Sequence, residues 1–150
     1  MSEKSTNAEI RVDVNYANDL ITDIFKAKSC NDHEARTIAQ RLSGSNLVGH
    51  DSHGIARVPR YVEWMERGWV FPNLKPEVVI DAGAMGCLDA KQGFGQVAGE
   101  YAVDDGITRA KKHGVSVVGL RNSGHLGRIG DWAERAADAG LSLIHISEPT

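Results

Sequence analysis

Nowhere in its 150 residues does the chain run together the roughly 18 apolar residues that a membrane-crossing helix needs. The opening segment MSEKSTNAEIRVDV also lacks the apolar centre of a secretory signal, so a cytoplasmic protein with no membrane partner is expected. Cysteine is scarce. Cys30 and Cys87 are the only two, their separation fits no metal-ligand pattern, and without an export signal no disulfide is expected. Both read as small buried or half-buried hydrophobes. Charge of one sign is missing as well: 17 Lys and Arg against 20 Asp and Glu leave a net charge of −3. The basic residues are scattered rather than gathered into a stripe, which argues against a nucleic-acid partner. No repeat, low-complexity tract or linker interrupts the chain, so one domain is the default for this length.

What is present is periodic. Glu9 to Val14 alternates enough for a short strand, and Asn15 is placed to cap a helix carrying Leu20, Ile21, Ile24 and Phe25 on one face. Asn31 and Glu34 form a variant capping box. It opens a second helix that buries Ala35, Ile38, Ala39 and Leu42 and runs toward Val48. The two should pack as a hairpin. A third helix is expected from near Ile55 to Gly68, with Ile55, Val58, Val62 and Met65 inward and Arg57 and Tyr61 together on a different face. Strands are expected at Glu77 to Ala82 and Met85 to Ala90, then a helix from Gln96 to His113. The apolar run Val115 to Leu120 reads as a strand buried on both faces, and a last helix spans Gly127 to Ala139. The order predicts an α/β protein: a helical N-terminal lobe, then strand, helix, strand, helix.

Two segments set a histidine among glycines and hydrogen-bonding neighbours: GHDSHGIARVPRY at Gly49 to Tyr61, and RNSGHLGRIGDW at Arg121 to Trp132. In the first, Arg57 is suited to hold a carboxylate by a bidentate, charge-assisted bond while Ser52, His53 and Tyr61 surround a reacting carbon. The plainer alternative is Ser52 as a helix cap beside a satisfied histidine and a surface arginine. In the second, the glycines around His125 permit close backbone approach, which a ligand site and an ordinary turn both use. His50 and His53, completed by His125 or Asp51, raise a metal-dependent hydrolase as an alternative, although the spacing does not enforce a metal site and none is assigned. A non-catalytic dimerisation or binding fragment is the third reading. His33 and His113 are expected to face solvent. Gly93, Gly95 and Ala98 satisfy G-x-G-x-x-A, but the acidic ribose partner is missing where it should stand, so tight helix packing is the preferred account.

The last ten residues, LSLIHISEPT from Leu141 to Thr150, match residue for residue a reading-frame translation of a transposon-derived sequencing adapter. The expectation is a non-native tail at 141–150 fused to the N-terminal part of a longer domain at 1–140. The alternation of Leu141, Leu143 and His145 would also permit a strand, and His145 is given no role.

GHDSHGIARVPRY, DAKQGFGQVAGEYA and VSVVGLRNSGHLGRIGDWAERA together resemble the type-2 malate/L-lactate dehydrogenase family, over roughly Val12 to Gly140. These are NAD(P)-dependent 2-hydroxyacid oxidoreductases without a Rossmann domain. The resemblance implies a truncated form of that non-Rossmann malate/lactate dehydrogenase-like fold, NAD or NADP as cofactor, and a small 2-hydroxy or 2-oxo acid such as malate or lactate as substrate. It also implies a homodimer at full length. Residue by residue it falls on His125, His53 and Ser52 as catalytic groups, the acid/base role going to the two histidines, and on Arg57 and Tyr61 as substrate-binding groups. The family's cofactor loops lie mostly beyond this sequence, so no cofactor-binding residue is assigned, and the chain alone is expected to be inactive. A histidine titrating near neutrality would take and return the hydroxyl proton as hydride leaves C2.

Overall fold

The computed structural model describes residues 11–147. Helix α1, Val14–Ala27, is capped by Asp13, whose carboxylate accepts the backbone N–H of Asn15 and Tyr16 at 2.9 and 3.1 Å. Asn15 is therefore inside the helix rather than its cap. Residues 9 and 10 of the expected strand lie outside the described residues, and 11–13 form no strand. Helix α2, Asp32–Leu47, is capped by Asn31, which accepts from Glu34 N at 2.9 Å. The reciprocal half of the box is not made. The buried Glu34 carboxylate accepts from Asn73 N at 2.8 Å, and Asn31 N donates to the Asn73 side chain at 2.7 Å. The pair thus pins the 72–76 loop to the start of α2. Burial raises the Glu34 carboxyl and, with that carboxylate beside it, the Cys30 thiol.

Two 3₁₀ turns, Asp51–His53 and Ile55–Arg57, precede α3, Val58–Glu66. Here the inward face differs from the expected one. Val58 and Tyr61 are buried, Tyr61 to 1% exposure, while Ile55 is exposed and Val62 only half-buried. Arg57 belongs to the preceding turn and shares no helix face with Tyr61. A 3₁₀ turn advances about 120° per residue against 100° in an α-helix, so the phase read back to Ile55 was displaced. The principal core joins Phe25 of α1, Ile38 and Leu42 of α2, Tyr61 of α3, and Phe94 and Val97 at the start of α4. Phe25 meets Phe94 edge-on at a ring separation of 5.7 Å. Each such fully buried side chain stabilises the fold by about 1.5–3 kcal/mol.

Strands β1, Glu77–Ala82, and β2, Met85–Asp89, form an antiparallel hairpin around Gly83 (φ +67°). Helix α4, Gly95–His113, crosses to β3, Val117–Arg121, which pairs parallel with β2, giving the order β1-β2-β3. Arg109 of α4 fastens the hairpin, donating to Asp81 and to the carbonyls of Gly83 and Met85 while Asp105 holds its Nε. β3 is not buried on both faces. Its residues alternate between exposed and half-buried, Val117 being 62% exposed, because α4 covers one face and nothing among the described residues covers the other. Helix α5 spans Gly130–Asp138; Gly127, at φ +76°, lies in the loop before it. After Gly140 the chain through Ser147 forms neither helix nor strand, and Ile144 and Ile146 are exposed.

Candidate active site

The two histidine segments meet. The rings of His53 and His125 stack with centroids 5.3 Å apart and planes 24° from parallel. Tyr61 and Trp64 flank His125, their ring centres at 6.1 and 6.4 Å. The first segment is aimed from the end of α2. Asn46 accepts Ile55 N at 2.7 Å and donates to Asp51, bracing the loop that carries Ser52, His53 and Arg57. Gly54 makes that possible, since a Cβ there would fall 2.0 Å from the Asn46 side-chain oxygen. The second segment is held by the glycine motif. Gly124 N donates to Gly93 O at 2.9 Å, and a Cβ on Gly95 would lie 2.2 Å from the carbonyl oxygen of His125. The glycines of G-x-G-x-x-A therefore let the His125 loop sit directly on the start of α4.

Ser52 is exposed and caps no helix; its Oγ lies 2.9 Å from His53 Nδ1. Arg57 donates through Nε to Ser52 O at 2.6 Å. Among the described residues it has no carboxylate partner, unlike Arg60, which pairs with Glu63 at 3.0 Å. Its terminal nitrogens make no hydrogen bond among the described residues. Tyr61, expected around the reacting carbon, is buried, with its hydroxyl 2.9 Å from His125 Nδ1. Gln96 donates to the same hydroxyl at 2.6 Å. Among the described residues no three His, Cys, Asp or Glu side chains gather to hold a metal ion, and His50 stands 6.4 Å from His53, ring to ring.

His125 does not titrate near neutrality. Burial first, then the positive charge of Arg57 and the nearby His53 ring, lower it to about 4, so the ring is neutral at physiological pH. Burial pushes the Tyr61 hydroxyl up to about 12 against the opposing pull of the Gln96 bond and the Arg57 charge. The cluster thus joins two imidazoles, one of them held neutral, and a guanidinium with no carboxylate partner among the described residues. Two of its supports, Asn46 and Gln96, carry no signal in the sequence. Each is an ordinary polar residue whose role exists only through a partner elsewhere in the chain.

The sequence model describing malate/L-lactate dehydrogenase matches residues 12–149. Hydroxycarboxylate dehydrogenase B of Escherichia coli O157:H7 is 42% identical over 135 residues, covering 90% of this chain and 37% of that protein. L-lactate dehydrogenase of Cupriavidus necator is 33% identical over 135 residues, covering 90% and 39%. The solved malate dehydrogenase of Pyrococcus horikoshii superposes with a TM-score of 0.84 at 32% identity, over 93% of this chain and 41% of that one. The chain spans well under half the length of these relatives.

Proposed function

Because the chain belongs to the malate/L-lactate dehydrogenase family, we propose that its paired histidines and Arg57 form the substrate side of an oxidoreductase acting on a small 2-hydroxy or 2-oxo acid. The carrying observation is the stack of His53 on His125 beside an arginine whose terminal nitrogens have no carboxylate partner among the described residues. In the oxidative direction the C2–H bond breaks and its electron pair leaves as hydride. The hydroxyl O–H bond breaks with its proton passing to an imidazole, His125 with His53 at its side, and the C2–O bond becomes a carbonyl. Arg57 grips the carboxylate and sets which face of C2 is presented. Ser52 holds the His53 ring through Nδ1, and Tyr61 acts on the substrate through His125.

The hydride partner of the whole enzyme is NAD or NADP, which carries the redox chemistry. The glycine turn of this chain offers it no cradle, since the space beside Gly95 is filled by the Gly124 and His125 carbonyls. No described residue is assigned to it, and the steps above are those of the chain's own groups. Residues 1–140 are the N-terminal part of a longer cytoplasmic enzyme, a homodimer at full length, and 141–150 are a foreign tail. The limited share of each relative that is covered supports the first of these readings, and the tail rests on its sequence alone, since the family match runs on through residue 149. The 150-residue chain alone does not turn over.

A nucleotide read through the codons for Gly140 and Leu141 recovers the native continuation. The extended protein then reduces NAD or NADP when supplied with a panel including malate and lactate. Absence of reduction across 2-hydroxy acids with both cofactors would overturn the reading.

A further inference from the structure

Gln96 is 1% exposed, and its two amide atoms are treated unequally. Nε2 donates to the Tyr61 hydroxyl at 2.6 Å, while Oε1 is buried without a partner among the described residues. A buried acceptor left unpaired ordinarily costs about 1–3 kcal/mol. Methionine or leucine would fill the same space without that cost, so the amide calls for a reason.

The direction of the hydrogen-bond chain supplies one. Gln96 donates to Tyr61, which leaves the Tyr61 proton free for His125 Nδ1, 2.9 Å away. Gly127 N–H also points at Nδ1, at 3.3 Å. With two donors directed at it, Nδ1 is the unprotonated nitrogen and the neutral ring carries its proton on Nε2. Nε2 is the nitrogen without a hydrogen bond among the described residues, and in this tautomer it has no lone pair with which to receive a substrate proton. A half-turn of the Gln96 amide reverses the chain. Oε1 then accepts the Tyr61 O–H, the Tyr61 oxygen accepts His125 Nδ1–H in exchange for the long Gly127 contact, which is given up, and Nε2 is left with its lone pair. The tyrosine remains a neutral hydroxyl throughout and transmits orientation, not charge.

We propose that Gln96 is a positioning residue whose amide, through Tyr61, selects between a resting tautomer of His125 that cannot take a proton at Nε2 and a competent one that can. The inference rests on His125 being an acid/base group as proposed above. In the competent state the proton balance closes: Nε2 gains the substrate's hydroxyl proton, the imidazolium keeps its Nδ1–H on Tyr61, and Oε1 keeps the tyrosine proton. The other groups facing the ring are His53 and Arg57 from the loop before α3 and Trp64 from α3, and none of these touches Nδ1.

The test uses the 150-residue chain and needs neither substrate nor hydride carrier. Histidine ring nitrogens of the ¹⁵N-labelled protein are read by long-range proton–nitrogen correlation while pH is varied. Unmodified His125 should be neutral with its proton on Nε2. Gln96→Glu, an acceptor when ionised, should move the population toward Nδ1–H and raise the protonation constant about tenfold or more, one pH unit. Gln96→Met removes the acceptor that the reversed chain needs, so the Gly127 N–H directed at Nδ1 should keep the ring on Nε2–H while the constant falls. The tautomer change should vanish in a Tyr61→Phe background, where only the through-space effect of the Glu charge on the constant remains. A merely structural role would shift both variants the same way, toward a more solvated ring. That result, an Nδ1–H tautomer in the unmodified chain, or a tautomer change surviving Tyr61→Phe would overturn the proposal. If Gln96→Met does not fold, Gln96→Glu with and without Tyr61→Phe decides the matter. A tautomer that follows position 96 in a protein whose extended form oxidises no 2-hydroxy acid would leave this inference standing and remove the functional one.

Discussion

The Tyr61 hydroxyl and His125 Nδ1 are 2.9 Å apart, joining residues 64 positions distant in the chain. That bond ties α3 of the helical lobe to the loop after β3. Replacing Tyr61 by Phe removes the shared oxygen and leaves the Gln96 amide donor buried without an acceptor. The expected loss of stability is about 1–3 kcal/mol, read from urea denaturation with an unchanged slope.

In the extended enzyme, His125→Ala should lower turnover about 100- to 10,000-fold, equivalent to roughly 3–5 kcal/mol of barrier. Arg57→Ala should raise KM and lower kcat together, and Arg57→Lys should rescue only part of the loss, because an ammonium lacks the planar two-pronged geometry. Steady-state kinetics on both variants checks the assignment. Unimpaired turnover in both would remove the proposed site.

The depressed His125 pKa fixes the sign of a pH effect. Its folded value of about 4 lies below the ordinary 6.5, so between those values the unfolded chain binds a proton that the folded chain refuses. The contribution to stability is complete above pH 6.5 and is lost as pH falls toward 4. Arg57→Gln removes one of the causes and should raise the His125 pKa, narrowing that window. A 2-oxo acid seated on Arg57 should raise it too, by cancelling the same charge. Proton–nitrogen titration of the ring, with and without the acid, measures both.

Gly95→Ala places a methyl group 2.2 Å from the His125 carbonyl oxygen, where backbone rather than a flexible side chain must give way. Overpacking of this kind costs about 1–3 kcal/mol, so a lower urea midpoint is expected together with displaced ring signals of His53 and His125. If the turn only approached solvent, both would be unchanged.

Asn46→Ala removes the side chain that accepts Ile55 N and donates to Asp51. The expected cost in stability is about 1 kcal/mol. Amide exchange should accelerate at Gly54 and Ile55 but not in α1, because α1 gains nothing from that brace.

Much of the architecture was legible in the residues. The α1–α2 hairpin followed from helical spacing, the Asn31 cap from its chemistry, and the two strands on either side of Gly83 from the proline-bounded loop and glycine that punctuate them. The joining of His53 and Arg57 to His125 followed from the resemblance of their segments to one family. Arg57 was placed on one helix face with Tyr61 because a 3₁₀ turn, which changes the angular step just before α3, leaves no mark in the spacing of the residues. The run at Val115 to Leu120 is apolar, but such a run does not say how many of its faces will be covered. Asn46 and Gln96 were invisible for a different reason: neighbours reveal a cap or a turn, whereas a polar side chain bonded across the fold is distinguished only by the group it meets.

Two imidazoles held face to face disfavour two positive charges at once, so the stack of His53 on His125 penalises a doubly charged pair. In the oxidation proposed above, that limit would match the one proton released for each hydride removed.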